Sequence, residues 1–194
     1  MVAAACCALV FVVLLVVVAT GRPAFDLADA RWIAAHRVAA GIPIANAFSI
    51  IGSIEGIIPI GIVAISWLVH RDGWRPVGWL VAASAGATLL YVIANVTMTS
   101  ARPPVPLRVI DSIGWSFPSG HATQSAAFWP MLAMLSGWRW ALAPAIAIVA
   151  LIGASRLYLD VHWTTDVAAG YALGSAWLFG LLALRSRRAS VPPP

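Results

Sequence analysis

The stretch VAAACCALVFVVLLVVVA, residues 2–19, runs without a charged or strongly polar side chain. A run of this length and composition is typical of a helix that crosses a bilayer. The rest of the chain agrees with this interpretation, because 61% of the 194 residues are hydrophobic and only 10% are charged. The sequence therefore predicts an integral membrane protein.

A cleaved signal peptide is the alternative interpretation of residues 2–19. Signal peptides normally carry positive charge ahead of the apolar run and small residues at a cleavage site after it. No basic residue precedes this run, and the sequence that follows it is a poor cleavage site. We therefore interpret residues 2–19 as a retained first span.

Apolar runs of spanning length recur along the chain and predict an all-α integral membrane bundle of six transmembrane helices. The predicted spans are residues 2–19, 48–69, 77–98, 119–135, 140–157 and 162–184. Residues 20–47 are mixed in character and predict a short interfacial helix after the first span. We interpret residues 1–194 as a single membrane-embedded domain that ends in a short disordered tail, residues 185–194.

The basic residues indicate an orientation in the membrane and no nucleic-acid partner. All 12 are arginines, they stand mostly between apolar runs, and no nucleic-acid motif accompanies them. Six lie on the side of the C-terminus and four on the opposite side, when the two arginines of the candidate site described below are left out. Because basic residues accumulate on the cytoplasmic side, we predict a cytoplasmic C-terminus. The abundance of alanine and arginine without lysine suggests a GC-rich bacterial genome, and we predict that the protein lies in a bacterial plasma (inner) membrane.

Chemically active side chains are concentrated in residues 155–166, SRLYLDVHWTTD. If a helix begins near His162, then Asp166 lies one turn later on the same face. The carboxylate can accept the Nδ1 hydrogen of the imidazole and leave the Nε2 lone pair outward. A histidine held in this way is prepared to act as a nucleophile or a base.

A second polar segment, Pro118-Ser119-Gly120-His121, opens a predicted span. Ser119 stands at the N-cap position, and the free N–H groups of a helix N-terminus favour anions. Arg102 and Arg156 can grip phosphate oxygens in a bidentate manner. Together these parts predict phosphoryl transfer, in which His162 attacks phosphorus and His121 protonates the leaving oxygen. By the predicted orientation, the site lies outside the cytoplasm.

These segments resemble the signatures of the phosphatidic acid phosphatase type 2 superfamily, which are Lys-x6-Arg-Pro, Pro-Ser-Gly-His and Ser-Arg-x5-His-x3-Asp. The second signature is complete at residues 118–121, and the third stands with its spacing intact in residues 155–166. The first is partial, because Asn95 occupies the position of the lysine before Arg102 and Pro103. The resemblance places the motif core at residues 95–166.

The resemblance implies a metal-independent lipid phosphatase without cofactors that works through a phosphohistidine intermediate. It implies His162 as nucleophile, Asp166 as its orienting carboxylate and His121 as general acid. It further implies phosphate contacts from four residues, with Asn95 as a weaker fifth contact in place of lysine. These four are Arg102, Ser119, Gly120 and Arg156.

The implied partners are membrane lipids and a lipid phosphate substrate. Short loops and small size favour a polyprenyl (undecaprenyl or decaprenyl) diphosphate or a related prenyl-linked phosphate of cell-wall carrier recycling. Phosphatidic acid and phosphatidylglycerophosphate are alternatives. Because Asn95 departs from the family pattern, a non-catalytic lipid-phosphate binder or transporter is the alternative of another class. The sequence does not indicate an oligomeric state.

Glu55 is the carboxylate that the motifs do not explain. It lies within a predicted apolar span, towards the end that carries the candidate site. Ionisable side chains inside spans are usually functional or paired. We therefore predict that Glu55 pairs with an arginine or lines the substrate entrance.

Overall fold

The structure is a computed structural model, in which residues 1–104 and 107–189 are described. The described residues form eight α-helices and no β-strand, which confirms the all-α prediction. The helices are α1 (Val2–Thr20), α2 (Ala24–His36), α3 (Gly41–Gly52), α4 (Ile54–Asp72), α5 (Trp74–Met98), α6 (Gly120–Ser136), α7 (Leu142–Tyr158) and α8 (Thr164–Ala189).

Four of these helices, α1, α4, α5 and α8, are long and apolar enough to cross a membrane. The other two predicted spans correspond to α6 and α7, which have 17 residues each. A helix needs about 20 residues to cross a hydrocarbon core of about 30 Å. The described residues therefore support a multi-span membrane protein with four full-length candidates, and the count of six is not confirmed.

The predicted second span began too early, because the chain breaks at Ser53. Residues 48–52 belong to α3, and α4 begins only at Ile54. Ser53 is extended and its hydroxyl accepts the backbone N–H of Gly56 at 3.3 Å, which caps the new helix. Gly56 permits the tight connection, since a Cβ there would lie 2.0 Å from the carbonyl oxygen of Ile50. The predicted single interfacial helix within residues 20–47 is accordingly two helices, α2 and α3.

The C-terminal helix is longer than the sequence indicated. Residues 185–189, which were assigned to the disordered tail, continue α8 to Ala189. The remainder of that tail, residues 190–194, lies outside the described residues. At its other end, α8 begins at Thr164, two residues after the predicted start.

The centre of the bundle is α6, which packs against α5, α7 and α8. Most of its side chains are buried, including the polar Thr123 and Ser125. Gly170 and Gly174 of α8 allow the closest contact, since a Cβ at Gly174 would lie 2.2 Å from the carbonyl oxygen of Thr123. Small residues one turn apart let two helix backbones approach in this way. The contact fixes the beginning of α8 beside the beginning of α6.

Several chain ends meet at one end of the bundle and build the site. These are the C-terminal ends of α1, α5 and α7 and the N-terminal ends of α6 and α8. The connection between α5 and α6 closes over them, with Ser116 N–H donating to the carbonyl oxygen of Ser100 at 2.8 Å. The three segments that carry the motifs are therefore neighbours, as the sequence predicted.

Candidate active site

His162 and Asp166 form the predicted pair, but His162 precedes the helix instead of lying inside it. The distance from His162 Nδ1 to Asp166 Oδ2 is 3.5 Å. Asp166 is in the first turn of α8, where its Oδ2 also accepts the backbone N–H of Trp163 at 3.0 Å. A first-turn carboxylate commonly satisfies a free N–H in this way. The carboxylate is thereby held beside the imidazole.

The nearest acceptor for His162 Nδ1 is the carbonyl oxygen of Ser116, at 2.8 Å, and not Asp166 as the sequence suggested. On the other side of the ring, Arg102 Nη1 lies 3.2 Å from Nε2. An arginine can only donate, so Nε2 must accept and Nδ1 must carry the hydrogen. The contacts thus select the tautomer whose Nε2 lone pair points towards the site.

The imidazole of His162 is kept neutral by its surroundings. Its side chain is almost fully buried, and burial lowers its pKa to about 4. The neighbouring charges of Arg102 and Arg156 lower this pKa further, while Asp166 opposes them. A neutral ring at pH 7 retains the lone pair that nucleophilic attack requires.

This neutrality gives a prediction for titration of the ring. Because the pKa of His162 is lowered, the ring should take up a proton only as the pH falls through about 4. We expect its ring ¹⁵N chemical shifts to show the neutral, Nδ1-protonated tautomer at pH 7. The measurement uses ¹⁵N-histidine-labelled protein, in which the His162 signals are those lost on His162→Gln. A midpoint at the ordinary value of about 6.5 would contradict the prediction.

Arg102 is held against the site by four carbonyl oxygens. Its guanidinium donates to Val161 at 2.6 Å and to Gly114, Ile113 and Trp115 at 3.0–3.1 Å. Burial lowers its pKa, Tyr91 and Asp166 oppose this shift, and the nearby charge of Arg108 adds to it. The sequence assigned Arg108 no part in the site. The two arginines make this end of the bundle favourable for an anion.

Ser119 stands at the N-cap of α6, yet its hydroxyl does not cap the helix. Its backbone N–H donates to the carbonyl oxygen of Asp166 at 3.0 Å, and its Oγ is buried without a hydrogen-bond partner among the described residues. Arg156, which is 4% exposed, bonds Ser49 through Nη1, while its buried Nε also lacks a described partner. Buried donors are normally satisfied. These two are therefore suited to a ligand with acceptor oxygens.

Gly120 and His121 begin α6 beside a cavity between α4, α5 and α6. The cavity has a volume of about 230 Å³, and Glu55 lies on its wall together with His121 and Tyr91. A Cβ at Gly120 would lie 2.9 Å from the ring of Tyr91, so glycine is needed for this packing. His121 interacts electrostatically with His162, Arg102 and Arg156. The two histidines are thus close enough for the charge of one to affect the other.

Asn95 occupies a supporting position behind the site. Its amide nitrogen donates to the carbonyl oxygens of Trp115 and Phe117, each at 3.0 Å. These bonds hold the segment that leads into Ser119, and they engage both amide hydrogens. A direct contact with phosphate, as the sequence proposed, would require one of these bonds to break.

Sequence reasoning missed three groups around Asp166. Arg22 donates to its Oδ1 at 2.9 Å, and the hydroxyl of Ser116 donates to its Oδ2. Asp26, four residues after Arg22, bonds both the N–H and the hydroxyl of Thr165. An arginine and a carboxylate at this spacing, directly after an apolar run, were the available signal.

Comparison with known proteins supports the resemblance that the motifs indicated. A family model described as the PAP2 superfamily matches residues 76–190. The undecaprenyl-diphosphatase of Sulfolobus acidocaldarius is 33% identical over 103 residues, which are 53% of this chain and 48% of that protein. The decaprenylphosphoryl-5-phosphoribose phosphatase of Mycobacterium tuberculosis is 36% identical over 103 residues, which are 50% of this chain and 55% of that protein. The chain therefore spans about half the length of these curated relatives.

A solved structure shares the fold over nearly the whole chain. It is the crystal structure of a transmembrane PAP2-type phosphatidylglycerolphosphate phosphatase from Bacillus subtilis, with a TM-score of 0.89. The superposition covers 96% of this chain and 98% of that one, at 20% sequence identity. The likeness at this identity concerns the fold, which therefore extends beyond the matched residues 76–190 to α1–α4.

Proposed function

The chain belongs to the PAP2 superfamily, and on this premise we propose that it is a membrane phosphatase that hydrolyses lipid phosphates or diphosphates through a phosphohistidine. Two relatives are named for prenyl-linked substrates, undecaprenyl diphosphate and decaprenylphosphoryl-5-phosphoribose. The favoured substrate is therefore a polyprenyl diphosphate or a related prenyl-linked phosphate. Phosphatidic acid and phosphatidylglycerophosphate remain the alternative substrates.

One observation carries this proposal: buried, unsatisfied donors lie near a neutral histidine. Ser119 Oγ and Arg156 Nε are buried without a described partner, and His162 presents Nε2 to Arg102. An anion with several oxygens would satisfy the two donors and attract Nη1 of Arg102. The Nε2 lone pair would then be free to attack the phosphorus of that anion.

In the first step, Nε2 of His162 attacks phosphorus, an N–P bond forms and the bond to the leaving oxygen breaks. His121, which takes up a proton when the anionic substrate binds beside it, gives that proton to the leaving oxygen. The phosphorylated ring, with hydrogen still on Nδ1, carries a positive charge. Asp166, 3.5 Å from Nδ1, stabilises that charge. Arg102 and Arg156 stabilise the oxygens of the phosphoryl group.

In the second step, a water molecule attacks the phosphohistidine. His121, now neutral, takes a proton from the water as the new P–O bond forms. The N–P bond breaks, inorganic phosphate leaves, and both histidines return to their starting states. No metal ion takes part in either step, as the family resemblance implies.

A second cavity supports a lipid as the molecule that carries the phosphate. It has a volume of about 310 Å³ between α4 and α5, and isoleucine, leucine, valine and phenylalanine side chains form most of its wall. Ser84 on its wall accepts from Gln124, which lines the cavity beside His121. A lipid whose phosphate lies near His121 can place the start of its tail between these helices.

The membrane arrangement completes the proposal. We place six spans in one domain, residues 1–194, with α6 and α7 as the two short spans within the bundle. The site faces the outside of a bacterial plasma membrane and the C-terminus faces the cytoplasm. The arginines at the far ends of α4 and α8 support this orientation through the positive-inside rule.

Phosphate release from a panel of lipids tests the function. Purified protein in detergent, with EDTA present, is given a polyprenyl diphosphate, a polyprenyl monophosphate, phosphatidic acid and phosphatidylglycerophosphate. We expect release that persists in EDTA and is fastest with a prenyl substrate. Binding of the lipids without any release would favour the lipid-phosphate binder or transporter, and loss of release in EDTA would refute metal independence.

Replacing Glu55 with glutamine tests its place at the substrate entrance. Its negative charge, in the cavity shared with His121, repels the more highly charged substrate. We expect Glu55→Gln to lower KM for the diphosphate relative to the monophosphate by about two- to fivefold, a modest effect because the group is exposed. Asp72→Asn, at the opposite end of α4, is the matched control. Unchanged kinetics on both lipids would refute the role.

A further inference from the structure

Arg22 connects the N-terminal part of the chain to the candidate active site. It lies between α1 and α2, outside the residues that the family model matches. Its guanidinium donates to Asp166 Oδ1 at 2.9 Å, to Asp26 at 3.0 Å, to Thr165 Oγ1 at 3.0 Å and to Ser100 Oγ at 2.5 Å. It also lies over the ring of Trp163, 5.0 Å from the centroid.

Arg22 balances the negative charge of Asp166, which would otherwise be stabilised by hydrogen bonds alone. Asp166 has no exposed surface, and its Oδ2 is occupied by the hydroxyl of Ser116 and the N–H of Trp163. Burying a carboxylate costs several kcal/mol unless a cation and hydrogen bonds compensate for the lost water. Arg22 supplies that cation to Oδ1, and Oδ2 faces His162.

Asp26 fixes the guanidinium in this place. Its side chain is 1% exposed and accepts from Arg22 with Oδ2. The same carboxylate accepts the backbone N–H of Thr165 at 3.0 Å and its hydroxyl at 2.6 Å. The first helix-forming residues of α8 and the arginine are thus tied to one carboxylate of α2.

We propose that Arg22 is a positioning residue of the active site, which holds Asp166 so that Oδ2 faces His162 and which offsets the charge of that carboxylate. This role rests on the proposed function, because it matters for catalysis only if His162 is the nucleophile. The N-terminal helices then contribute to the chemistry as well as to the membrane anchoring.

The charged groups around His162 determine what removal of Arg22 should do. Asp166 faces the ring from α8, Arg102 from the α5–α6 connection, Arg156 from α7 and His121 from α6. Among its described contacts, Arg22 touches no atom of the imidazole itself, and the contact that links it to the ring is the one with Asp166. Without Arg22 the carboxylate is uncompensated, and it should attract a proton to the imidazole more strongly.

The test compares Arg22→Gln with Arg22→Lys. For Arg22→Gln we expect the ring ¹⁵N midpoint of His162 to rise from about 4 towards its ordinary value of about 6.5. We expect kcat on a prenyl diphosphate to fall by about 10²-fold, as misplacement of a reacting group can cause, with KM nearly unchanged. Arg22→Lys keeps the charge, so the midpoint should stay near the wild-type value.

A matched control and a double variant separate positioning from folding. Arg31→Gln changes an exposed arginine on α2 and should alter neither readout. If Arg22→Gln does not fold, the double variant Arg22→Gln with Asp26→Asn replaces it in the test, because it also removes the buried carboxylate that loses its arginine partner. In an Asp166→Asn background, Arg22→Gln should cause little further loss of kcat, because the two residues act in series.

The His162 midpoint in the two Arg22 variants decides whether the proposal holds. An unchanged His162 midpoint in Arg22→Gln would overturn the proposal, even if activity fell, since a structural defect alone would explain the loss. A midpoint that shifts equally in Arg22→Lys would also overturn it. If the wild-type protein released no phosphate, the proposed function would fail, but the titration of His162 would still decide whether Arg22 acts through Asp166.

Discussion

Replacing His162 with alanine should lower the rate of phosphate release from a polyprenyl diphosphate by on the order of 10⁴-fold or more. The reason is that the ring supplies the atom that bonds to phosphorus, and no other described group presents a neutral nitrogen at this place. Arg102 would lose its contact with Nε2, and the carbonyl oxygen of Ser116 would lose its contact with Nδ1, while both residues keep their positions. The measurement is inorganic phosphate released per minute by purified protein in detergent.

A matched substitution and a folding check make this result specific. His70→Ala removes an exposed histidine from α4, at the opposite end of the bundle, and should leave the rate unchanged. His162→Gln keeps more of the buried volume and should be as inactive as His162→Ala, with a similar thermal unfolding midpoint. Phosphate release that survives in both His162→Ala and His162→Gln would refute His162 as the nucleophile.

The intermediate can be observed directly. Wild-type protein mixed with substrate labelled in the transferred phosphate and quenched in alkali should carry label on the peptide that contains His162. Phosphorus–nitrogen bonds survive alkali and are hydrolysed in acid, so an acid quench should remove the label. His162→Gln protein should carry none under either quench.

Replacing His121 with glutamine should lower kcat by about 10²- to 10⁴-fold, the range for loss of a general acid. The loss should depend on the leaving group. A prenyl monophosphate must expel a prenyl alkoxide, which leaves poorly without a proton, whereas p-nitrophenyl phosphate expels p-nitrophenolate, which leaves readily without one. We therefore expect the variant to retain a much larger fraction of wild-type activity on the aryl substrate.

The control for His121 lies in the same cavity. Thr88→Val removes a hydroxyl from the wall of the 230 Å³ cavity without changing its shape greatly. Any loss that it causes should be the same for both leaving groups, because it does not touch proton transfer. Equal losses for the two substrates in His121→Gln would count against a general acid and in favour of a binding role.

The fold class and most of the site followed from local sequence. Apolar runs predict helices in a membrane because the backbone must satisfy its own hydrogen bonds there. The positions of residues 118–121 and 155–166 were informative because each segment lies where a predicted helix begins or ends. Knowing these directions was enough to place both motifs at one end of the bundle.

The break at Ser53 and the length of the spans could not be predicted in the same way. An apolar run does not distinguish one helix from two packed helices, and here Gly56 and the Ser53 cap decide the outcome. α6 is shorter than a full span and is almost entirely surrounded by other helices. A buried central helix need not meet the length and hydropathy that lipid contact demands.

The partners of the predicted residues depended on contacts distant in sequence. Asn95 was assigned to phosphate because of its motif position, yet its amide holds the carbonyl oxygens of Trp115 and Phe117. Glu55 was expected to pair with an arginine or to line the substrate entrance. Among the described residues it forms no ion pair, and it lies in the first turn of α4, on the wall of the cavity beside His121. Spacing alone indicates which helix face a side chain occupies and leaves open which group from another helix meets it.

The sequence by itself determined that this is a helical membrane protein and that His162 and Asp166 lie close together, because hydropathy and a short separation along the chain are local properties. Only the tertiary structure decided how that pair is held. Ser116 supplies the acceptor for Nδ1, and Arg22, 144 residues before Asp166, supplies the charge that balances it. A buried carboxylate needs a cation, and which cation reaches it depends on how α1 and α8 pack.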